Sequence, residues 1–420
     1  MADNMNAQGP AAVTSEQIDP VPRISIQVFC DSEEIGAIVE AALKDRRMAK
    51  AHAKQHMGGS VAAVEAYRGA ATPNVIVIES PKSRDTLIDQ LDQLAHYCDP
   101  GTKVVVLGHA NDIGLYRDLM SRGVSEYLVA PFGPVDFVRA ISRLYRGPDA
   151  KPLGRVVSVI GAKGGVGAST VAHNIAWTFA TKLDMATVIA DCDLPFGTAG
   201  LDYNQDPPQG ISEAVFAPDR VDANLIERLL SKCGEKLGLL AAPATLERQY
   251  DFSETSFDAI IDVLRQTTPW IILDMPHQWT GWTRRQLVGA DELVIVAAPD
   301  LANLRNAKNI YDNLKNARPH DHPPKLVMNG VGLPKRPEIS IGDFCKTVGL
   351  EAVATIAHDA KTFGGAANNG QMIAEADPKN PAAQTFVALS SLLAGRVDAR
   401  LARKPGLLDP LMSRLQRRSA

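Results

Sequence analysis

The stretch Gly161-Ala162-Lys163-Gly164-Gly165-Val166-Gly167-Ala168-Ser169-Thr170 restricts what this chain can fold into more than any other. An apolar β-type run, Val156-Val157-Ser158-Val159-Ile160, leads into it, and Val171-Ala172-His173-Asn174-Ile175-Ala176-Trp177 reads as a buried helix after it. Strand, glycine loop and helix form the context of a phosphate-binding loop. Glycines let backbone N–H groups turn inward on phosphates, and the helix that follows presents its positive N-terminal end. Ser169 stands where such loops hold Mg²⁺. A glycine-rich turn without a ligand is the plain alternative. The glycines, a lysine and Ser-Thr coincide in the right context, so Lys163, Gly164, Gly165, Val166, Gly167, Ala168, Ser169 and Thr170 are candidate nucleotide-binding residues.

One departure matters. An ordinary loop of this kind ends Gly-Lys-Ser/Thr, whereas here Ala168 follows Gly167 and the lysine of the loop is Lys163, near its front. The string resembles the deviant Walker motif of the MinD/ParA class with its second lysine replaced. That resemblance implies ATP with Mg²⁺ as ligands, and a homodimer in which Lys163 reaches the partner's nucleotide. Further along, Ala186-Thr187-Val188-Ile189-Ala190-Asp191-Cys192-Asp193 reads as a buried strand ending in Asp-x-Asp. Carboxylate oxygens suit a hard cation, which makes Asp191 a metal candidate. Asp193, in the switch region by the same resemblance, is the candidate for orienting water; strand-end acids that merely cap a loop are the alternative. Trp270-Ile271-Ile272-Leu273-Asp274 has the Walker B pattern and supplies Asp274 as the second metal candidate. His277, in the next loop, reads as a loop histidine rather than a general base. The runs Glu292–Pro299 and Lys325–Gly330 read as further core strands. Relatives contact adenine with a strand-end asparagine, which points to Asn329, although Asn-Gly is also a turn former. Repeated buried strands with helices between them predict a doubly wound α/β sheet with its ligand crevice at the strand carboxyl ends, where these candidates fall.

At 420 residues the chain is long enough for two domains. A formal net charge of -4 argues against a globally basic nucleic-acid binder. The five cysteines are scattered, with no C-x-x-C pair, and fit a reducing cytosol better than a disulfide framework or zinc site. No apolar run approaches the ~18 residues of a spanning helix, and the start of the chain lacks a signal-peptide core. A cytoplasmic protein is expected.

Residues 1–22 read as a disordered leader. From Ile24 short strands alternate with helices: strands at Ile24–Phe29, Val75–Glu79, Lys103–Leu107 and Glu126–Val129, and a helix over Glu33–Leu43. Such alternation means βαβ crossovers and a parallel sheet, and the order resembles a response-regulator receiver over residues 23–145. The residues of phosphorylation are missing. Glu79 stands for the acceptor aspartate, Gly108-His109 for the Ser/Thr after the fourth strand, and Ala130-Pro131 for Lys-Pro; the acidic pair is reduced to Asp31 behind Cys30. The expectation is a receiver-like docking or dimerisation module, with a permanently "on" mimic through Glu79 as the lesser alternative and an α/β domain of no signalling ancestry as the plain one. Residues 146–154, with two prolines and two glycines, read as a linker, and 155–396 as the P-loop domain. Residues 397–420 turn basic. Their Leu407, Leu408, Leu411, Met412 and Leu415 suggest peripheral membrane contact, but Pro405, Gly406 and Pro410 interrupt the stripe and favour a solvated tail.

A degenerate receiver joined to a deviant-Walker domain resembles the CpaE/TadZ proteins of Flp/Tad (type IVb) pilus assembly. The resemblance rests on Ala168 in the loop, on Asp193-Leu194-Pro195-Phe196-Gly197-Thr198-Ala199-Gly200-Leu201-Asp202 and on Asn204-Gln205-Asp206-Pro207-Pro208-Gln209-Gly210-Ile211. It implies a factor that marks where the pilus secretion machine assembles, at a cell pole or against the inner membrane. It also implies contact with the machine's motor ATPase or with polar scaffold proteins. Without a lysine at 168, ATP hydrolysis is expected to be slow or partner-dependent. A ParA-like partition ATPase that binds DNA non-specifically is the alternative, which the acidic balance opposes.

Overall fold

The computed structural model describes residues 17–80, 83–147 and 152–396, and the chain divides into two units, Met1–Pro152 with Ala317–Asp321, and Leu153–Asn316 with His322–Ala420. Residues 1–16 of the expected leader, 148–151 of the expected linker and the basic tail from 397 lie outside the described residues.

The first unit is built on β1 (Ser25–Cys30), β2 (His52–Met57), β3 (Val75–Ser80), β4 (Lys103–Gly108) and β5 (Glu126–Val129), all parallel, in the order β2-β1-β3-β4-β5. This is the flavodoxin-like, receiver-like order, with its ligand crevice at the strand carboxyl ends. Central β3 is buried throughout and accordingly reads as a continuous apolar run. Side chains alternate across the sheet, so Ile26, Val28, Val75 and Val77 pack with Phe137 and Ile141 on one face. Phe29, Ile76 and Ile78 pack with Leu87 and Leu91 on the other. The helix Glu33–Leu43 starts at Ser32, whose side chain accepts from the Ile35 N–H. Two features differ from expectation. Strand β2 went unanticipated because it is a polar edge strand of mostly exposed residues. The packed chain also begins inside the expected leader: Val21 is fully buried and its N–H donates to the Arg47 carbonyl at 2.8 Å. Ile18 packs against the same core, and two apolar anchors three residues apart make too short a pattern to betray themselves.

The second unit carries β6 (Arg155–Gly161), β7 (Thr187–Asp191), β8 (Ser231–Lys232), β9 (Leu237–Leu240), β10 (Trp270–Met275), β11 (Glu292–Ala297), β12 (Lys325–Val331) and β13 (Ala352–Ala357). Their order is β13-β12-β11-β6-β10-β7-β9-β8, parallel except for the short β8–β9 pair. Val156, Ile160, Ile271 and Leu273 point into one apolar layer, and Val157, Val159, Trp270 and Ile272 into the other. The chain leaves β6 towards β7 on one side and reaches β11 on the other. The carboxyl end of β6 is therefore a topological switch point, where doubly wound sheets bind ligands.

Candidate functional site

From Gly161, the last residue of β6, the chain turns through residues 162–167 into the helix Ala168–Thr181. Three side chains fasten the loop by its carbonyls: one from the loop after β10, one from the helix Leu301–Ala317 and one from the end of β12. His277 Nδ1 donates to the Gly161 oxygen at 2.9 Å, Asn306 Nδ2 to the Ala162 oxygen at 2.9 Å, and Asn329 Nδ2 to the Val166 oxygen at 2.8 Å. Gly167 caps the helix at φ 84°, a left-handed conformation, and a Cβ there would stand 2.5 Å from the Asn329 amide. Only glycine fits. The first helical bond runs from Val171 N–H to the Gly167 carbonyl, so the N–H groups of Ala168, Ser169 and Thr170 lie in the turn that lacks intrahelical acceptors. Such a turn receives anions.

The carboxylates expected at the metal, Asp191 and Asp274, and at the attacking water, Asp193, fall into two roles. Asp191 is fully buried at the end of β7 and spends both oxygens on backbone, accepting from Asp193 N–H at 3.1 Å and Ala199 N–H at 3.0 Å. Burial first, and the neighbouring Asp274 second, push its carboxyl above the ordinary range. Asp193 accepts from the Phe196 N–H and closes the turn that follows; burial raises it as well. Asp274, at the end of β10, differs: its Oδ2 lies 3.1 Å from His173 Nε2, while its buried Oδ1 has no hydrogen-bond partner among the described residues. A buried oxygen left open beside an anion-receiving turn fits a cation. No cluster of three or more His, Cys, Asp and Glu side chains forms a ready cage among the described residues. Mg²⁺ does not require one, because it takes one or two protein oxygens along with phosphate and water. Lys163 is exposed; burial pushes the Asp300 carboxyl up, but the bonds from Asn303, with the charges of Lys163 and Arg336, hold it below the usual carboxylate range.

Asn329, expected at the adenine, has its amide engaged on the loop, and His277 serves as a strut for Gly161. A cavity of about 410 Å³ opens beside this strut, lined by His277, Gln278, Trp279, Asn306, Asn309 and Asn313 among others. Sequence reasoning missed His173. It is fully buried, and Asp202 Oδ2 lies 2.6 Å from its Nδ1. Carboxylate oxygens only accept, so both ring nitrogens carry protons. Burial works against that charge, but the bonds from Asp202 and Asp274 overcome it and raise the ring's pKa. The signal was present: His173 stands four residues after Ser169, on the same helix face.

In the first unit, the receiver-type site is filled by its own residues. Glu79 is fully buried and accepts from Asp31 N–H at 2.7 Å, Ser32 N–H at 2.9 Å, Ser32 Oγ at 2.7 Å and His109 Nε2 at 3.1 Å. At Gly108, a Cβ would stand 2.2 Å from the Tyr127 ring, whose hydroxyl donates to the Ala110 carbonyl at 2.8 Å. The serine or threonine of an active receiver has no room here.

No protein-family model matches the chain. A solved structure of the pilus assembly protein CpaE from Caulobacter crescentus is 47% identical, covers 31% of this chain and 98% of that one, and has a TM-score of 0.30. Its match lies on the receiver-like part. The septum site-determining protein MinD of Bacillus subtilis is 22% identical over 258 residues, 58% of this chain and 90% of that protein. MinD of Pyrococcus horikoshii, solved with Mg-ADP, is 18% identical over 60% of this chain and 100% of that one, with a TM-score of 0.52. The last likeness shows the fold of the second unit.

Proposed function

The chain belongs to the CpaE family of pilus assembly proteins, with a receiver-like first unit and a second unit of MinD/ParA fold, and from that premise we propose that it is an ATP-binding positioning factor for a Flp/Tad-type pilus machine. The observation that carries the nucleotide part is the pairing of a carbonyl-fastened loop, its first-turn N–H groups without intrahelical acceptors, with the open Oδ1 of Asp274. The loop backbone from Gly164 to Thr170 holds the phosphates, while Ser169 and Asp274 hold Mg²⁺. Asp191 and Asp193 set the turn beside the γ-phosphate, and exposed Lys163 reaches the partner's phosphates in an ATP-dependent homodimer. Bound Mg²⁺ would neutralise charge on the phosphate oxygens. Motor ATPase or polar scaffold proteins are the expected partners, met in the cytoplasm at a cell pole or at the inner membrane face. No helix among the described residues is long and apolar enough to cross a membrane.

Phosphoryl transfer depends mostly on placed charge. With alanine at 168, this loop lacks the cation that ordinarily sits there, which weakens turnover more than binding. ATP binding, phosphate release and mass by light scattering, measured on wild type beside Ala168→Lys, test the reading. Binding, dimerisation and very slow turnover are expected, with hydrolysis in the lysine variant higher by at least about tenfold. Brisk wild-type turnover indifferent to the lysine would overturn the slow cycle, and absence of ATP binding would overturn the nucleotide site.

A further inference from the structure

His173 has no packing reason to be histidine. It is fully buried in the second turn of the helix Ala168–Thr181, in a stretch, 171–176, that is buried throughout. Burying an ion between two acids is at best roughly neutral for stability compared with an apolar side chain of similar size. What the residue accomplishes is a connection. One ring nitrogen meets Asp274 Oδ2 at 3.1 Å, and the other meets Asp202 Oδ2 at 2.6 Å. Asp202 ends the short helix Ala199–Asp202, and the next residue, Tyr203, donates its hydroxyl to the His173 carbonyl at 2.7 Å. The front of the same segment is pinned by Asp191 through the N–H groups of Asp193 and Ala199. Residues 193–203 are thus tied at both ends to the strand-end acids beside the phosphate loop. Between those ties two large apolar side chains face outward, Phe196 at 66% and Leu201 at 73% exposure.

We propose that His173 is a positioning residue that couples the carboxylate of Asp274 to the segment 193–203, and with it the posture of Phe196 and Leu201. A change of charge at Asp274 alters its pull on one side of the imidazole. The ring cannot shift without moving Asp202 on its other side, because the core around it is close-packed. The proposal deepens the nucleotide-site reading and rests on it: metal and phosphate arriving at the loop are the natural source of such a change.

The test is a double-mutant cycle on the full chain, read by hydrogen exchange of the amides in 196–203. Asp274→Asn is expected to change their exchange at least about threefold in the wild-type background and to have no effect once Asp202→Ala, which leaves no acceptor for the ring, has cut the link. Neither variant alters the histidine, so the cycle stands even if His173 variants fold poorly. His173→Gln, whose amide reaches about as far as Nε2, keeps a donor for Asp274 and loses the one for Asp202; it should behave as Asp202→Ala does. An Asp274→Asn effect that persists unchanged beside Asp202→Ala, or no effect in either background, would overturn the coupling. Mg-ATP is added to wild type as a separate arm. Binding without an exchange response in 196–203 also overturns the coupling. Absence of binding overturns the nucleotide-site reading instead, and the cycle then decides the coupling alone.

Discussion

At the position where a phosphorylatable receiver carries aspartate, Glu79 is one methylene longer, and that length takes its carboxylate onto the N–H groups of Asp31 and Ser32 at 2.7 and 2.9 Å. Burial pushes the carboxyl up, but the bonds from Ser32, Asp31 and His109 win and hold it below its ordinary value. A group with a depressed folded-state pKa stabilises the fold fully above its unfolded value, about 4.3 for glutamate, and loses that contribution as pH falls through the folded value. Glu79→Gln keeps the shape and turns a donor towards backbone donors. It is expected to cost about 1–3 kcal/mol near neutral pH, since part-buried N–H groups lose an acceptor. The gap from wild type, measured by urea unfolding followed by circular dichroism, should narrow as pH drops below about 4. A constant gap across that range would mean that packing, not the charge, is what Glu79 contributes.

The phosphate loop is held by side chains that come from elements far from it in sequence: a loop, a helix and a strand end. Asn329 donates to the Val166 carbonyl from the end of β12, a strand separated from the loop in sequence by more than a hundred residues. If that bond is its role, Asn329→Ala should weaken ATP and GTP binding alike, by about fivefold for one lost hydrogen bond. A change in the ATP-to-GTP preference would instead restore the adenine contact expected from the resemblance. The same element shows which features the sequence could reveal. Strands β6, β7, β10, β11 and β12 are buried on both faces and were legible as continuous apolar runs. Strand β13 alternates exposed and buried residues at the sheet edge, β8 has only two residues, and β9 is the short run Leu237–Leu240; none has a signal that stands clear of loops. At the site, the loop and its strand-end acids announced themselves by type and spacing. The partners of those residues did not: His173–Asp202 and Asn306–Ala162 are tertiary contacts, and pairing of that kind leaves no local period.

At the scale of the whole chain, each unit has its own pair of apolar layers, one on either face of its own sheet. Cores that share no residues are expected to unfold in separate cooperative transitions, in which case a single unfolding free energy has no meaning for the full chain. The tryptophans make this testable without cutting the protein, because all four, Trp177, Trp270, Trp279 and Trp282, belong to the second unit. Phe137 is fully buried in the first unit, against Ile26, Val28 and Ile141. Phe137→Ala removes a ring that the neighbours cannot replace and should cost the first unit about 3–5 kcal/mol. In urea, the circular dichroism trace of the variant is expected to gain an early step, while the tryptophan fluorescence midpoint stays with that of wild type. A fluorescence midpoint that falls together with the early step would mean that the second sheet depends on the first for its stability. The receiver-like unit would then be part of the fold of the nucleotide unit rather than a module attached to it.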